Sequence, residues 1–370
     1  MIQTVLVAAN SEMYNTGQPA ALVQALFPAI SEDTNKTMVL VKQWVRMLEN
    51  LRSLEGHVDI RLASQAALPT YADHSVIINE TDAAPTCFVK VETLRTSQLG
   101  SVQLHQVGKY DIASSIVRMA DPPQYVVMKV FEMDKAASSL EDPMRELVIH
   151  AKLVNNSKKD SGIVPLLGCL ATTDKLFAIF PFVPEGDMFR FLSEMPHRLS
   201  ERQIRVIMRG MLRGIYVCHN NFICHRDISL ENFLKNGDNL HLIDFGLSVE
   251  MSHVNFGVEN TGPVGKTKYM APELALGRPE IVDGRKLDIW SLGVTLFMLV
   301  TQTEPFRVAL NVDDRYNALV TKKRMRSVFT TWGVVASNPL LDMLESMLDP
   351  NPLQRPTAED LLNHTWMLEA

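Results

Sequence analysis

The run Cys224-His225-Arg226-Asp227-Ile228-Ser229-Leu230-Glu231-Asn232, followed by Leu242-Ile243-Asp244-Phe245-Gly246, decides how this chain is read. Asp227 offers a carboxylate able to take a proton from a hydroxyl. Asn232 and Asp244 then supply a carboxamide and a second carboxylate, hard oxygen donors at the spacing of a two-metal nucleotide site. Leu242-Ile243 ends an apolar run that reads as a strand, and Gly246 frees the backbone just after Asp244. A lone three-letter match arises by chance. The ordered series very rarely does.

Around this stretch the totals are those of an ordinary globular protein, with 46% hydrophobic and 21% charged residues in 370. Against 36 Lys and Arg stand 42 Asp and Glu, a net charge of −6. No broad basic field is present, which argues against nucleic acid or anionic membrane as a partner. Cys87, Cys169, Cys218 and Cys224 form no Cys-x-x-Cys pair, so neither a disulfide framework nor a zinc site is expected. Residues 1–13 lack the basic start of a signal peptide, and the apolar run Ile289–Val300 is too short to span a bilayer. A cytoplasmic protein with access to the nucleus is the expectation.

The chain divides near residue 100. Residues 1–100 form an N-terminal extension in which Val41, Trp44, Val45, Leu48 and Leu51 predict one amphipathic helix between Thr37 and Leu54. From Val102 to Glu132 the pattern is that of strands, with Asp121-Pro122-Pro123 as a turn. A helix around Met144–Leu153 follows, then strands around Leu166–Leu170 and Leu176–Phe180. Beyond Gly186 the periodicity turns helical, with a stripe from Ile204 to Ile215, the apolar segment Ile289–Val300, and helices over Leu340–Leu348 and Ala358–Trp366. The expected architecture is α+β: an antiparallel sheet with one helix over residues 101–183, then a larger, mainly helical part over 184–370.

Further motifs fall in order. Val126-Val127-Met128-Lys129 closes a strand, Glu146 stands on the next helix, Ala271-Pro272-Glu273 follows the Asp-Phe-Gly run, and Asp288-Ile289-Trp290-Ser291-Leu292-Gly293 opens the apolar helix. With these, residues from about 102 to 367 resemble a eukaryotic protein kinase catalytic domain of the serine/threonine branch. The resemblance implies a two-lobed fold, ATP and Mg²⁺, and protein substrates with serine or threonine acceptors. Asp227 would be the catalytic base, Lys129 paired with Glu146 would hold the α/β-phosphates, and Asn232 and Asp244 would hold the metal. Glu141 competes for the pairing role, but Pro143 just beyond sets it at or before the helix start. Gly108, Val127, Lys129, Pro181, Val183 and Asp187 would contact the nucleotide: Val183 gives an N–H to adenine, and Asp187 reaches the ribose. Phe180 would stand at the gatekeeper position. Glu273 and Arg355 would pair as a buried brace, and Asp288 would hold the backbone of the catalytic loop.

Two departures stand out. Gly108 matches the first glycine of the phosphate loop, but Tyr110 and Ala113 replace the second and third, so nucleotide affinity should be reduced. Ser229 stands where the family carries lysine, while Lys266, after Gly265, stands where threonine is usual. The cation has therefore exchanged places: Lys266 is expected beside Asp227 as a catalytic residue, with Ser229 in the hydroxyl role. Arg226 before the base implies an activating kinase, with Thr261 or Ser252 as acceptor. Glu231 and Asp187 match positions that can meet basic substrate residues. A pseudokinase serving as a scaffold is the alternative reading.

Overall fold

Alternation along Tyr125–Glu132 builds the strand that carries Lys129: Val126, Met128 and Val130 are buried, while Val127 and Lys129 share the other, half-buried face. The computed structural model describes residues 60–66, 76–79, 85–136, 142–156, 161–172, 174–277 and 279–369. The helix expected between Thr37 and Leu54, and Glu141, lie outside these. Two units divide the chain, one taking residues to Val148 with Leu167–Ile179, the other Ile149–Leu166 with Phe180 onward.

The first unit is a sheet of β1 (Ile60–Ala66), β2 (Val76–Asn79), β3 (Thr86–Thr96), β4 (Gly100–Asp111), β5 (Ile116–Met119), β6 (Tyr125–Glu132), β7 (Gly168–Ala171) and β8 (Lys175–Pro181). The order is β3-β2-β1-β7-β8-β6-β4-β5, and β3 also pairs with β4, so all but β5 close into a ring. Closure removes the open edges that a small sheet would otherwise expose. β4 runs antiparallel to β3, β5 and β6, whereas β1 and β7 are parallel, with Ile60 beside Cys169. Sheet pairing therefore begins well before residue 101. Ile77, Phe88, Val126, Met128, Val130, Leu170, Phe177 and Ile179 form its core. Helix α1 (Pro143–Asn156) starts where Asp142 Oδ1 accepts the N–H groups of Met144 and Arg145 at 2.9 and 3.3 Å.

Helices dominate the second unit. After α2 (Met188–Glu194), α3 (Glu201–Asn220) opens on a reciprocal cap in which Ser200 Oγ accepts the Gln203 N–H and Gln203 Oε1 accepts the Ser200 N–H. The expected stripe Ile204, Ile207, Met208, Met211, Leu212 and Ile215 is its buried face. Short strands β9 (Ile223–Cys224), β10 (Phe233–Asn236), β11 (Asn239–Leu242), β12 (Val249–Glu250) and β13 (Gly257–Glu259) follow, then α4 (Pro272–Ala275) and β14 (Ile281–Asp283). Helix α5 (Gly284–Thr301) is buried on every side over Leu287–Thr301, which is why its sequence shows no polar stripe. Helix α6 (Asn338–Met347) packs against α5. The run expected as one helix over Ala358–Trp366 splits into α7 (Ala358–Leu362) and α8 (Thr365–Leu368), because the His364 side chain accepts the Trp366 N–H and caps a new helix. Among the described residues no helix is long and apolar enough to cross a membrane.

Candidate active site

The loop bearing Asp227 is held from beneath by α5. Asp288 is buried, and its carboxylate accepts the backbone N–H groups of His225 and Arg226, each at 2.9 Å, and His219 Nε2–H at 3.0 Å. Burial alone would raise the Asp288 pKa, but the bond from His219, the electrostatic pull of the His219 and His225 rings and the backbone donor together hold it below the ordinary value. His225 donates Nε2–H to the Ile243 carbonyl at 3.1 Å and accepts the Asp227 N–H on Nδ1 at 3.3 Å. That ring therefore ties the Asp227 loop to the strand end before Asp244, and its edge meets Phe245 at 5.1 Å between centroids. Neither His219 nor His225 had been assigned a role from sequence. The sole signal was a histidine at the end of an otherwise apolar helical stripe, and another beginning the loop motif.

Arg226 and Asp244 adopt positive φ, 64° and 67°, which non-glycine residues seldom do. Strain of this kind persists where surrounding bonds over-determine the backbone, and here it sits at the two ends of the His225 tie.

Two side chains bond Asp227 directly. Asn232 Nδ2 donates to the Asp227 carbonyl at 2.7 Å and to its carboxylate Oδ2 at 2.8 Å. Lys266 Nζ donates to the same Oδ2 at 3.2 Å and to Ser229 Oγ at 2.6 Å, and lies 4.0 Å from Glu231. Tyr269 donates its hydroxyl to Glu231 at 3.4 Å, and burial raises the Tyr269 pKa so that it stays a neutral donor. Gly265 makes the approach of Lys266 sterically feasible: its φ is +85°, and a Cβ there would stand 2.7 Å from the Arg226 carbonyl. Because both Asn232 amide hydrogens face Asp227, its carbonyl oxygen is the atom left to ligate a cation. With the Asp244 carboxylate this makes an all-oxygen donor set that suits Mg²⁺ completed by phosphate and water. No cluster of three His, Cys, Asp or Glu able to hold a metal occurs among the described residues.

Elsewhere in this unit, Asp187 caps α2, its Oδ1 accepting the Arg190 N–H at 2.8 Å. The Val183 carbonyl accepts the Gly186 N–H at 3.2 Å, whereas the Val183 N–H meets no acceptor among the described residues. Pro181 ends β8. Arg355 grips Glu273 with two bonds of 2.6 and 2.8 Å, donates to the carbonyls of Asp349 and Lys286, and lies 4.8 Å from the Trp290 ring centroid.

Within the first unit, Lys129 Nζ lies 2.6 Å from Glu146 Oε1, and Glu146 is buried. Gly108 is inside β4, where a Cβ would crowd the Arg118 carbonyl at 2.9 Å and Cys87 Sγ at 3.2 Å. The turn after β4, Ile112-Ala113-Ser114-Ser115, carries no glycine, and Ser115 takes a φ of 53°. Its N–H groups at Ala113 and Ser114 are taken by Asp111 Oδ1, at 3.0 and 3.3 Å.

Comparison with known proteins gives one family match, described as Protein kinase domain, over residues 104–367. CBL-interacting protein kinase 31 of Oryza sativa subsp. japonica is 30% identical over 276 residues, covering 70% of this chain and 58% of that protein. CBL-interacting serine/threonine-protein kinase 17 of Arabidopsis thaliana is 33% identical over 213 residues, 56% of this chain and 46% of the relative. Maternal embryonic leucine zipper kinase of Danio rerio is 29% identical over 244 residues, 66% and 34% respectively. The chain thus spans between about a third and three fifths of the length of these relatives.

Proposed function

The chain belongs to the protein kinase domain family, and on that premise we propose that it transfers the γ-phosphoryl group of ATP to serine or threonine hydroxyls of proteins. The observation that carries this reading is the Asp227 carboxylate, bonded by Asn232 and Lys266 on a loop whose backbone Asp288 fixes. Asp227 accepts the hydroxyl proton as the substrate oxygen bonds to the γ-phosphorus and the bond to the bridging oxygen breaks, releasing ADP. Lys266 supplies positive charge beside the base, where the transferring group gathers negative charge, and Ser229 steers that ammonium. Lys129, oriented by Glu146, binds the α/β-phosphates, and the Val183 N–H, which meets no acceptor among the described residues, is the donor offered to adenine. Asn232 and Asp244 are the residues to hold Mg²⁺, which when bound neutralises phosphate charge.

The glycine-free turn with Asp111 in possession of its N–H groups favours a second reading, a pseudokinase that transfers phosphate poorly. Mg²⁺-dependent transfer from ATP to a generic serine/threonine substrate, in wild type and in Asp227→Asn, separates the two. Transfer that vanishes in the variant supports the kinase. ATP binding without transfer in either protein supports the pseudokinase.

A further inference from the structure

Lys266 does not belong to the loop that carries Asp227. It stands on the segment between β13 and α4, so its ammonium reaches Asp227 and Ser229 only while that segment is held in place. The holding is done by backbone pairing and by side-chain ties. β13 pairs with β14 through Gly257↔Asp283, Val258↔Val282 and Glu259↔Ile281. The pairing is extended at one end by Gly284 N–H to the Phe256 carbonyl (3.0 Å) and at the other by Asn260 N–H to the Glu280 carbonyl (2.7 Å). Over Phe256 lies the Arg285 guanidinium, 3.5 Å from the ring centroid, itself fixed by two bonds to Asp283.

Asn260 is the most heavily tied residue of the segment. Its side-chain amide donates to the carbonyls of Glu273 and Pro279, each at 3.0 Å, and its Oδ1 accepts the Gly262 N–H at 3.2 Å. Glu273 is in turn clamped by the buried Arg355. Five residues separate this tie from the lysine, and two of them, Gly262 and Gly265, turn the chain at φ of +91° and +85°. A Cβ at Gly265 would collide with the Arg226 carbonyl, so the backbone there rests against the loop of Asp227.

We propose that Asn260 is a positioning residue for Lys266: with the β13–β14 pair it sets the segment so that the ammonium is seated on Asp227 and Ser229. This rests on the reading that Lys266 supplies the cation for phosphoryl transfer. Loss of Asn260 unseats the cation while leaving Asp227, Asn232 and Asp244 on their own loop and strand end.

The test is limited acylation of the full chain with an amine-reactive acetylating reagent, reading the extent at Lys266 by mass spectrometry relative to the exposed Lys322. Asn260→Ala should raise the relative labelling of Lys266 severalfold. Asn260→Asp, which keeps size and acceptor but loses both donated bonds, should do the same. Unchanged labelling in both variants, with thermal melts showing folded protein, overturns the proposal. Labelling needs no phosphoryl transfer, so it stands apart from the kinase reading. If labelling rises and no variant or wild type transfers phosphate, the kinase reading fails and the positioning holds. In active protein, Asn260→Ala should lower kcat by more than it raises KM for ATP. That loss should shrink in a Ser229→Lys, Lys266→Thr background, where the cation no longer rides on the segment. An equal loss in both backgrounds would make Asn260 a purely structural residue and overturn the proposal.

Discussion

Lys266 Nζ donates to Ser229 Oγ across 2.6 Å, joining a residue of the β13–α4 segment to the loop of the candidate base. The pair occupies the positions at which the family resemblance places a threonine and a lysine, with the charge on the opposite partner. The ammonium still arrives 3.2 Å from Asp227.

Exchanging the two side chains tests whether position or identity matters. Lys266→Thr should lower kcat by about 100-fold or more, the usual cost of removing one stabilising donor from a transition state. Ser229→Lys combined with Lys266→Thr should recover most of that loss, since the cation returns from the other side of the same gap. Steady-state kinetics on the three proteins decides it; a double variant no better than Lys266→Thr would refute interchangeability.

The Glu273–Arg355 brace makes a stability prediction independent of catalysis. Both side chains are buried, and Arg355 also holds two backbone carbonyls. Arg355→Met leaves a buried carboxylate without its partner and should cost about 3–5 kcal/mol of unfolding free energy. Replacing Glu273 by Gln in the same protein should restore part of it, because the stranded charge is then gone. Urea unfolding monitored by tryptophan fluorescence measures both.

Much of this was legible beforehand, and for a physical reason. The types, order and spacing of Asp227, Asn232, Lys266, Glu273 and Asp288 are plain in the sequence, and the structure brings Asn232 and Lys266 onto Asp227 and seats Asp288 beneath its loop. The α3 stripe and the β6 alternation were equally plain, since one face of each is buried. Strands β1–β3 were not, because their burial depends on pairing that closes the ring to β4 and β7, partners distant in sequence. Closure leaves little reason for a sharp local pattern: the far half of β3, Val91–Thr96, is exposed on both faces. The break at His364 has no sequence signal because a histidine is seldom a cap. Asp111 was hidden too, since its effect lies in which N–H groups it occupies.

That last residue gives a prediction about nucleotide affinity. The Ser114 side chain first, then the Ser114 and Ala113 N–H groups, hold the Asp111 carboxyl below its ordinary pKa, so it is anionic at neutral pH. It thereby fills the donors that a phosphate oxygen would need and adds a like charge beside them. Asp111→Ala should lower the Kd for ATP by about threefold to tenfold, roughly the value of one recovered hydrogen bond. Titration calorimetry with a nonhydrolysable ATP analogue measures this; weaker binding would show that the carboxylate shapes the turn instead of blocking it.

Stability should also respond to pH through His105, in the middle of β4. The ring is fully buried and Nε2 lies 3.0 Å from Gln103 Oε1. Burial first, and the nearby charge of Lys90, push its pKa down from 6.5 to about 4, outweighing an opposing backbone bond at Phe88. In the unfolded chain the ring takes up a proton near pH 6.5, whereas in the native sheet it resists until about pH 4. Between those values the unfolded state binds more protons, so stability falls as pH is lowered. The full effect is at most about 3 kcal/mol, complete near pH 4 and absent above pH 7. Asp111, Asp288, Asp313 and Asp360 have values lowered from 3.8, and Glu185 from 4.5, so their contributions are lost chiefly at and below the acid end of this window. His105→Phe should therefore flatten the decline in melting temperature between pH 6.5 and 4 while leaving the steeper loss at lower pH in place. An unchanged slope in that variant would mean that His105 is protonated in the native sheet.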